Sequence, residues 1–128
     1  ERLKFYTPAA ACLAAAHLRE LIALGLTHKR AETIRSLARA IADGELWLEP
    51  GVDVDETITS LQALPGIGAW TAHYIAMRAL AYPDAFPHAD LGLMKALRLR
   101  KAGDILAAAE PWRPWRAYAA QHLWASLT

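Results

Sequence analysis

The sequence predicts an all-α protein, and three patterns support that class. Apolar residues recur at helical spacing through most of the 128 residues, as they do on the buried face of an amphipathic helix. No stretch alternates apolar and polar residues in the way a half-buried strand does. Aspartate, threonine, proline and glycine stand where helices should begin and end. At 55% hydrophobic residues, the chain can bury a core and fold as one domain over residues 1–128.

Residues typical of helix ends define the first two predicted helices. Thr7 and Pro8 suit the N-cap and first helical residue, so we expect a helix from there to Gly25. The second helix fits residues 29–44, where Gly44 supplies a left-handed stop. Its apolar face consists of Ile34, Leu37, Ala38 and Ile41.

The later helices follow a Pro-Gly connector and alternate with short turns. Either Asp53 or Asp55 can cap the third helix, and Asp90 stands where an N-cap belongs. Between them a fourth helix should begin near Gly68. The expected ranges are about 54–64, 68–81, 91–97, 104–110 and 114–127, with a proline-punctuated loop at 82–90.

Composition excludes several classes of protein. Cys12 is the single cysteine, so neither a disulfide framework nor a four-cysteine iron–sulfur cluster can form. Every apolar run is shorter than the ~18 residues of a membrane span, and no secretory signal is visible. We therefore expect an intracellular protein. Residues 91–116 contain six basic and two acidic side chains, which permits a polyanion-facing side, although ordinary solvated helix faces would give the same pattern.

The turn Pro65-Gly66-Ile67-Gly68 joins two predicted helices directly and indicates a helix–hairpin–helix. Pro65 ends the first helix, and glycines permit a positive φ or a close backbone approach. The amides of Ile67, Gly68 and Ala69 would then lie at a helix N-terminus, where unpaired donors and the helix dipole favour an anion such as a phosphate. The alternative is a plain helical hairpin with glycines chosen for packing.

Here the chain resembles the helix–hairpin–helix DNA glycosylase superfamily, whose hairpin is followed by a Gly/Pro-rich loop and an aspartate. In this sequence FPHAD ends at Asp90, twenty residues after Trp70. Residues 109–124, AEPWRPWRAYAAQHLW, resemble the C-terminal helices of the bacterial 3-methyladenine DNA glycosylase II (AlkA-type) branch. The resemblance covers about residues 18–127. It implies a glycosylase helical domain with its hairpin at 55–81, its catalytic loop and helix at 82–99 and its C-terminal helices at 103–127.

The resemblance implies base-excision repair, in which alkylated (3-methyl or 7-methyl) purines are flipped from duplex DNA and hydrolysed from the sugar. Asp90 would be the catalytic carboxylate, unless it serves only as a helix cap. Trp70, Tyr74 and Trp124 would line an electron-rich cleft for the flipped base. Trp70 replaces the lysine of the strand-cleaving branches, so we expect a monofunctional enzyme that leaves an abasic site. The alternative function is a non-catalytic helix–hairpin–helix DNA-binding module.

Other residues have open roles. Among relatives with such hairpins, a monovalent cation (Na⁺ or K⁺) is held by backbone carbonyls that correspond to Gln62, Leu64 and Ile67. We expect no required cofactor and no iron–sulfur cluster. Five side chains could face DNA: His73, His88, Lys95, Arg113 and Arg116. The alternative for the histidines is a surface or core position, and the alternative for the two arginines is stacking on a tryptophan for structure.

The resemblance also predicts that the parent domain begins before Glu1. Its relatives carry an earlier Q-x-V-S-like stretch and the residue that wedges into the duplex, and neither is found here. We therefore expect weak DNA binding and slow turnover, if any, from these residues alone. We further expect a monomer that works on nucleoid DNA in the bacterial cytoplasm.

Overall fold

The computed structural model describes residues 6–127, and this part of the chain contains helices and turns but no strand. The predicted all-α class is confirmed. In chain order the elements are α1 Ala10–Ala15, α2 Leu18–Ala23, α3 His28–Ala42, α4 Val54–Ala63, α5 Ala69–Arg78, α6 Leu91–Leu97, α7 Ala102–Ala109, a 3₁₀ turn Glu110–Trp112 and α8 Arg116–Ala125.

The first predicted helix is wrong in two respects. It begins at Ala10 after Ala9, which makes no side-chain cap, so Thr7 is not the N-cap. It also breaks at Ala16, whose ψ of 142° is extended, and restarts as α2. The carboxylate of Glu20 accepts from the backbone N–H of His17 at 2.8 Å, which satisfies a donor that a helix start leaves free. α1 packs against α3 but has no fully buried residue, so little buried surface opposes this break.

The other helices begin within two residues of their predicted starts, the largest differences being α7 at Ala102 instead of 104 and α8 at Arg116 instead of 114. Thr27, which was not predicted as a cap, caps α3 by accepting from the amide of Arg30 at 3.3 Å. Of the two aspartates offered for α4, Asp53 is the N-cap, and it accepts from the amide of Glu56 at 3.0 Å. The predicted stop of α3 is also found, since Gly44 has φ +74°. Phe5 lies outside the described residues, and its neighbour Tyr6 is exposed.

The core joins the second half of the chain to the end of α3. Its largest fully buried side chains come from α4, α6, α7 and the loop 82–90, and they include Leu61, Leu93, Ile105 and Phe86. We call residues 82–90 the Asp90 loop. Helix α6 packs against α7 and α8, and α4 packs against α5, so this core places the Asp90 loop between the hairpin helix α5 and the C-terminal helix α8. None of the helices described has both the length and the apolarity that crossing a membrane requires.

Candidate active site

Asp90 is the N-cap of α6 and lies where α5 and α8 meet it. One carboxylate oxygen, Oδ1, accepts from the backbone amide of Leu93 at 2.9 Å and from Nε1 of Trp124 at 2.8 Å. The other oxygen, Oδ2, accepts from Nε1 of Trp70 at 2.7 Å. Two indoles that are 54 residues apart in sequence (124 − 70) therefore meet on a single carboxylate. The side chain that caps α6 is thus also the carboxylate expected to be catalytic.

These contacts keep Asp90 ionised. Its partial burial acts to raise the pKa, since the interior disfavours charge. The hydrogen bonds from Trp124, from the Leu93 amide, from Trp70 and from the Gly92 amide act in the opposite direction, and the pKa of Asp90 is lowered overall. The group is therefore a fixed negative charge at neutral pH.

The aromatic residues form one wall beside this carboxylate. Trp70 and Tyr74 stack with ring centroids 5.1 Å apart and planes 9° from parallel, and Trp124 tilts against Tyr74 at 6.2 Å. A base sandwiched between two rings needs them about 7 Å apart, because atomic contacts lie near 3.5 Å. A base therefore cannot enter between Trp70 and Tyr74 as they stand. Trp70 is 38% exposed, whereas Tyr74 and Trp124 are half-buried, so Trp70 is the most accessible ring of the wall.

Gly92 leaves the space that Trp124 uses to reach Asp90. A Cβ at Gly92 would lie 2.8 Å from Oδ1 of Asp90 and 3.1 Å from Cδ1 of Trp124. Any larger residue would have to displace one of them. Gly92 was not predicted as a site residue, because a glycine within a short helix carries no local signal of such a contact.

The hairpin turn has the predicted form with two corrections. Gly66 has φ +88°, whereas Gly68 is extended at φ −92° and serves as the N-cap of α5. The amide of Ile67 already donates to the carbonyl of Leu64 at 3.2 Å, so it is not a free donor. The amides of Gly68 and Ala69 have no acceptor within the described part of the chain. A Cβ at Gly68 would meet nothing within 4 Å, which leaves an approach to these amides open.

Gly66 is needed for packing inside the protein. A Cβ added at Gly66 would collide with the hydroxyl of Thr33 on α3, and it would lie only 3.2 Å from the Cβ of Thr33. The Thr33 hydroxyl lies 3.0 Å from the carbonyl of Pro65, which ties the turn to α3. The two glycines thus have separate roles, one facing α3 and one facing solvent. Thr33 was not predicted, since a threonine inside an amphipathic helix has no distinguishing pattern.

The suggested cation ligands occur at the end of α4 and in the turn. The carbonyl of Leu64 accepts the Ile67 amide, as above, and the carbonyls of Gln62 and Ile67 complete the predicted set. Over residues 6–127 no group of three or more His, Cys, Asp or Glu side chains could hold a metal ion. A cation at the hairpin would depend on backbone carbonyls alone, and it stays a prediction.

The Asp90 loop is anchored by a buried ion pair that sequence reasoning missed. Asp84, 4% exposed, accepts from Nε of Arg116 at 2.7 Å, from its second guanidinium nitrogen at 2.7 Å and from Arg113 at 2.6 Å. Arg116, itself 6% exposed, lies over Phe86 at 5.9 Å. The phosphate contact considered for Arg116 is therefore wrong, and its ring partner is a phenylalanine rather than a tryptophan. Arg113 is half-exposed and paired with Glu110 as well.

The two histidines also connect α5 to this loop. Nδ1 of His73 accepts from the amide of Phe86 at a long 3.5 Å, and the rings of His73 and His88 meet edge to face at 6.0 Å. Burial, then the charges of His88 and Arg116, lower the pKa of His73, against a smaller opposing effect of Asp55. Both histidines are half-buried, and the packing role considered for them fits these contacts.

This geometry defines a class of protein. An all-α domain with a glycine hairpin, free amides at the start of its second helix and an ionised aspartate under aromatic rings is the arrangement of a helix–hairpin–helix DNA glycosylase domain. The chain matches no family model, but individual proteins match it well.

Two curated relatives and one solved structure are similar to this chain. The "probable bifunctional transcriptional activator/DNA repair enzyme AlkA" of Mycobacterium tuberculosis is 46% identical over 110 residues, which is 81% of this chain and 22% of that protein. The "DNA-3-methyladenine glycosylase 2" of Escherichia coli is 40% identical over 112 residues, which is 88% of this chain and 40% of that protein. The 3-methyladenine DNA glycosylase Mag1 of Schizosaccharomyces pombe, solved with abasic DNA, superimposes with a TM-score of 0.78 at 25% identity, over 91% of this chain and 62% of that one.

The chain belongs to the helix–hairpin–helix DNA glycosylase superfamily, in its AlkA-type branch. It spans two fifths or less of the length of these two curated relatives.

Proposed function

We propose that this domain hydrolyses the N-glycosidic bond of 3-methyl and 7-methyl purines flipped from duplex DNA, in base-excision repair. The observation that carries the proposal is the Asp90 carboxylate, whose oxygens accept hydrogen bonds from the indoles of Trp70 and Trp124 and which is held ionised. Trp70 belongs to α5, the helix whose first amides are free within the described part of the chain. The relatives named as 3-methyladenine glycosylases support the reaction class.

Asp90 would act on the sugar. As the base leaves, positive charge develops on the deoxyribose in an oxocarbenium-like transition state. A preorganised carboxylate stabilises that charge most where it needs no reorientation. The three contacts to Leu93, Trp70 and Trp124 fix both oxygens of Asp90, so the anion is positioned before substrate arrives.

The aromatic wall would recognise the base. Methylation at N3 or N7 makes a purine cationic, and an indole face attracts a cation. Trp70 offers such a face at the surface, with Tyr74 stacked behind it and Trp124 beside Tyr74. A cationic purine is also a good leaving group, so the site would need little general-acid help.

The position of Trp70 makes the reaction monofunctional. A strand-cleaving glycosylase forms a Schiff base through an amine nucleophile, and indole nitrogen has no basic lone pair for that step. Its N–H is moreover engaged with Asp90. The product would be an abasic site in an intact strand.

The hairpin would hold the DNA without reading its sequence. The amides of Gly68 and Ala69 at the N-terminus of α5 can bind a backbone phosphate, and Gly66 and Ile67 shape the turn that presents them. A monovalent cation on the carbonyls of Gln62, Leu64 and Ile67 would strengthen this grip. The partner is duplex DNA with alkylated bases, bound by a monomer in the bacterial cytoplasm.

The test is release of methylated purines from alkylated duplex DNA by the longest chain that contains these residues. We compare wild type with Asp90→Asn, and use Asp53→Asn as a matched control because both aspartates are helix N-caps and asparagine caps equally well. We expect Asp90→Asn to fold and bind DNA but to lose base release, while Asp53→Asn releases base as wild type does. Wild-type turnover in Asp90→Asn would refute the catalytic assignment. If wild type also releases no base but binds duplex with normal salt dependence, the domain is a DNA-binding module.

A further inference from the structure

We propose that the exposed stripe of α6 formed by Leu91 and Lys95 is a second DNA contact, separate from the hairpin. Leu91 packs against the sugar of the flipped nucleotide, and Lys95 binds a backbone phosphate next to it. The inference rests on the proposed glycosylase function and concerns how that site holds its substrate.

Leu91 is an apolar side chain at the mouth of the site. It follows Asp90 directly as the first residue of α6 and is 80% exposed. Side chains on a helix lean toward its N-terminus, so the side chain of Leu91 leans toward the end where the carboxylate of Asp90 lies. A single exposed leucine is ordinary on a protein surface, and Leu24 at the end of α2 is 79% exposed. The position of Leu91, rather than its exposure, is what distinguishes it.

A leucine there has a physical use. The oxocarbenium-like sugar is vulnerable to bulk water on every open face, and excluding water strengthens the attraction between the sugar and the carboxylate. A deoxyribose presents C–H groups that can pack against the side chain of Leu91. Leu91 would bury its exposed surface only when the nucleotide is in place.

Lys95 lies on the same stripe of the helix. It follows Leu91 by four residues, which places it on the same face about one turn, or ~5.4 Å, along α6. Its long stem also leans toward the N-terminus of the helix, so the ammonium group can approach the level of Leu91. Lys95 is exposed and forms no ion pair within the described part of the chain. Each flipped nucleotide is flanked by phosphates, the partners that such a cation would take.

The first arm of the experiment measures base release from alkylated duplex DNA by Leu91→Ser and Leu24→Ser in the longest chain that carries these residues. Because the two leucines are equally exposed, their replacement should affect stability equally little. We expect kcat/KM to fall about tenfold or more in Leu91→Ser, the size of effect that burying a leucine commonly has. Leu24→Ser should match wild type. Equal kcat/KM for the two variants overturns the proposal.

The second arm measures the affinity for duplex DNA against salt concentration for Lys95→Gln and Arg39→Gln. Both residues are exposed cations in the last turn of a helix. We expect the slope of log affinity against log salt to become shallower by about 0.9 in Lys95→Gln, as loss of one phosphate contact requires. Arg39→Gln should keep the wild-type slope. A wild-type slope in Lys95→Gln overturns the proposal. If wild type itself neither releases base nor binds duplex, the proposed function has failed instead.

Discussion

The guanidinium of Arg116 is where one substitution should loosen the Asp90 loop from α8. It makes two 2.7 Å bonds to the Asp84 carboxylate and a third, at 3.2 Å, to the Asp84 carbonyl. Methionine at position 116 would keep much of the apolar volume of the arginine stem, while removing every one of these donors and the guanidinium that lies over Phe86. The change leaves the carboxylate of Asp84 buried with Arg113 as its remaining cation.

The expected loss of stability follows from that geometry. Removing one partner of a buried ion pair costs about 3–5 kcal/mol, because the other charge is left uncompensated. Arg113 still donates to Asp84 at 2.6 Å, so we expect the lower end, about 3 kcal/mol. Since domains of this size unfold with about 5–15 kcal/mol, Arg116→Met should fold but be markedly weakened.

The assay is urea unfolding followed by tryptophan fluorescence. With a slope of about 1–3 kcal/mol per molar urea, a loss of about 3 kcal/mol should lower the unfolding midpoint of Arg116→Met by about 1–3 M. Arg113→Met is the matched control: its side chain is 48% exposed, so its loss should cost about 1 kcal/mol or less. The double variant Asp84→Leu/Arg116→Met should regain much of the loss, since an apolar pair replaces a buried charge. If Arg116→Met unfolds at the wild-type midpoint, or no earlier than Arg113→Met, the anchoring role is refuted.

The same pair gives a pH dependence whose sign can be stated. Burial acts to raise the pKa of Asp84, but its bonds and charge interactions with Arg116 and Arg113 outweigh this and lower it overall. A lowered pKa in the folded state means that the stabilisation is present above the unfolded pKa and is lost as pH falls through the folded one. Below about pH 4, the free energy of unfolding of wild type should therefore fall as Asp84 is protonated. The double variant Asp84→Leu/Arg116→Met should lack this pH-dependent loss.

Two further predictions concern the site and the hairpin. Trp70→Phe should keep the stack on Tyr74 but remove the donor to Oδ2 of Asp90, so the pKa of Asp90 should rise. The acidic limb of the profile of kcat/KM against pH should therefore move to higher pH. A variant whose acidic limb and maximal kcat/KM both match wild type would contradict this. Gly66→Ala should lower the free energy of unfolding by about 2 kcal/mol, because alanine is strained at positive φ and would strike Thr33. Gly68→Ala, with φ −92° and open space, should leave stability nearly unchanged yet weaken DNA binding; the reverse ranking in denaturation and binding would reject the two separate glycine roles.

Local signals in the sequence were sufficient for most helix boundaries. Asp53, Thr27 and Asp90 each cap a helix through a bond within three residues, and such contacts depend only on neighbouring residue types. The failure at Ala16 has the same physical origin. A carboxylate at Glu20 competes locally with continued helix, and an alanine-rich stretch has too little buried surface to resist it.

The contacts that build the site could not be read locally. Asp84 and Arg116 are 32 residues apart, and Trp124 and Asp90 are 34 apart, so no window on the sequence contains both partners. The resemblance to a family brought Trp70, Tyr74, Trp124 and Asp90 together as a set. It did not show that both indole N–H groups bind the carboxylate, nor that Trp70 and Tyr74 stack too closely to admit a base.

Those two findings bear on the kind of substrate the proposed enzyme can use. A carboxylate with a lowered pKa that accepts hydrogen bonds from three donors is a weak proton acceptor and a weak nucleophile, but it remains a strong electrostatic partner for a cationic sugar. Such a site stabilises charge that forms on its own and contributes little to starting a reluctant departure. It therefore suits bases that already carry a positive charge, whereas a neutral purine would also need a proton donor at the leaving base. We infer that cationic 3-methyl and 7-methyl purines should be released much faster than neutral deaminated purines. Removing the hydrogen-bond donors to Asp90 should make the two rates more similar, because release of the cationic purines should slow while release of the neutral purines should not rise.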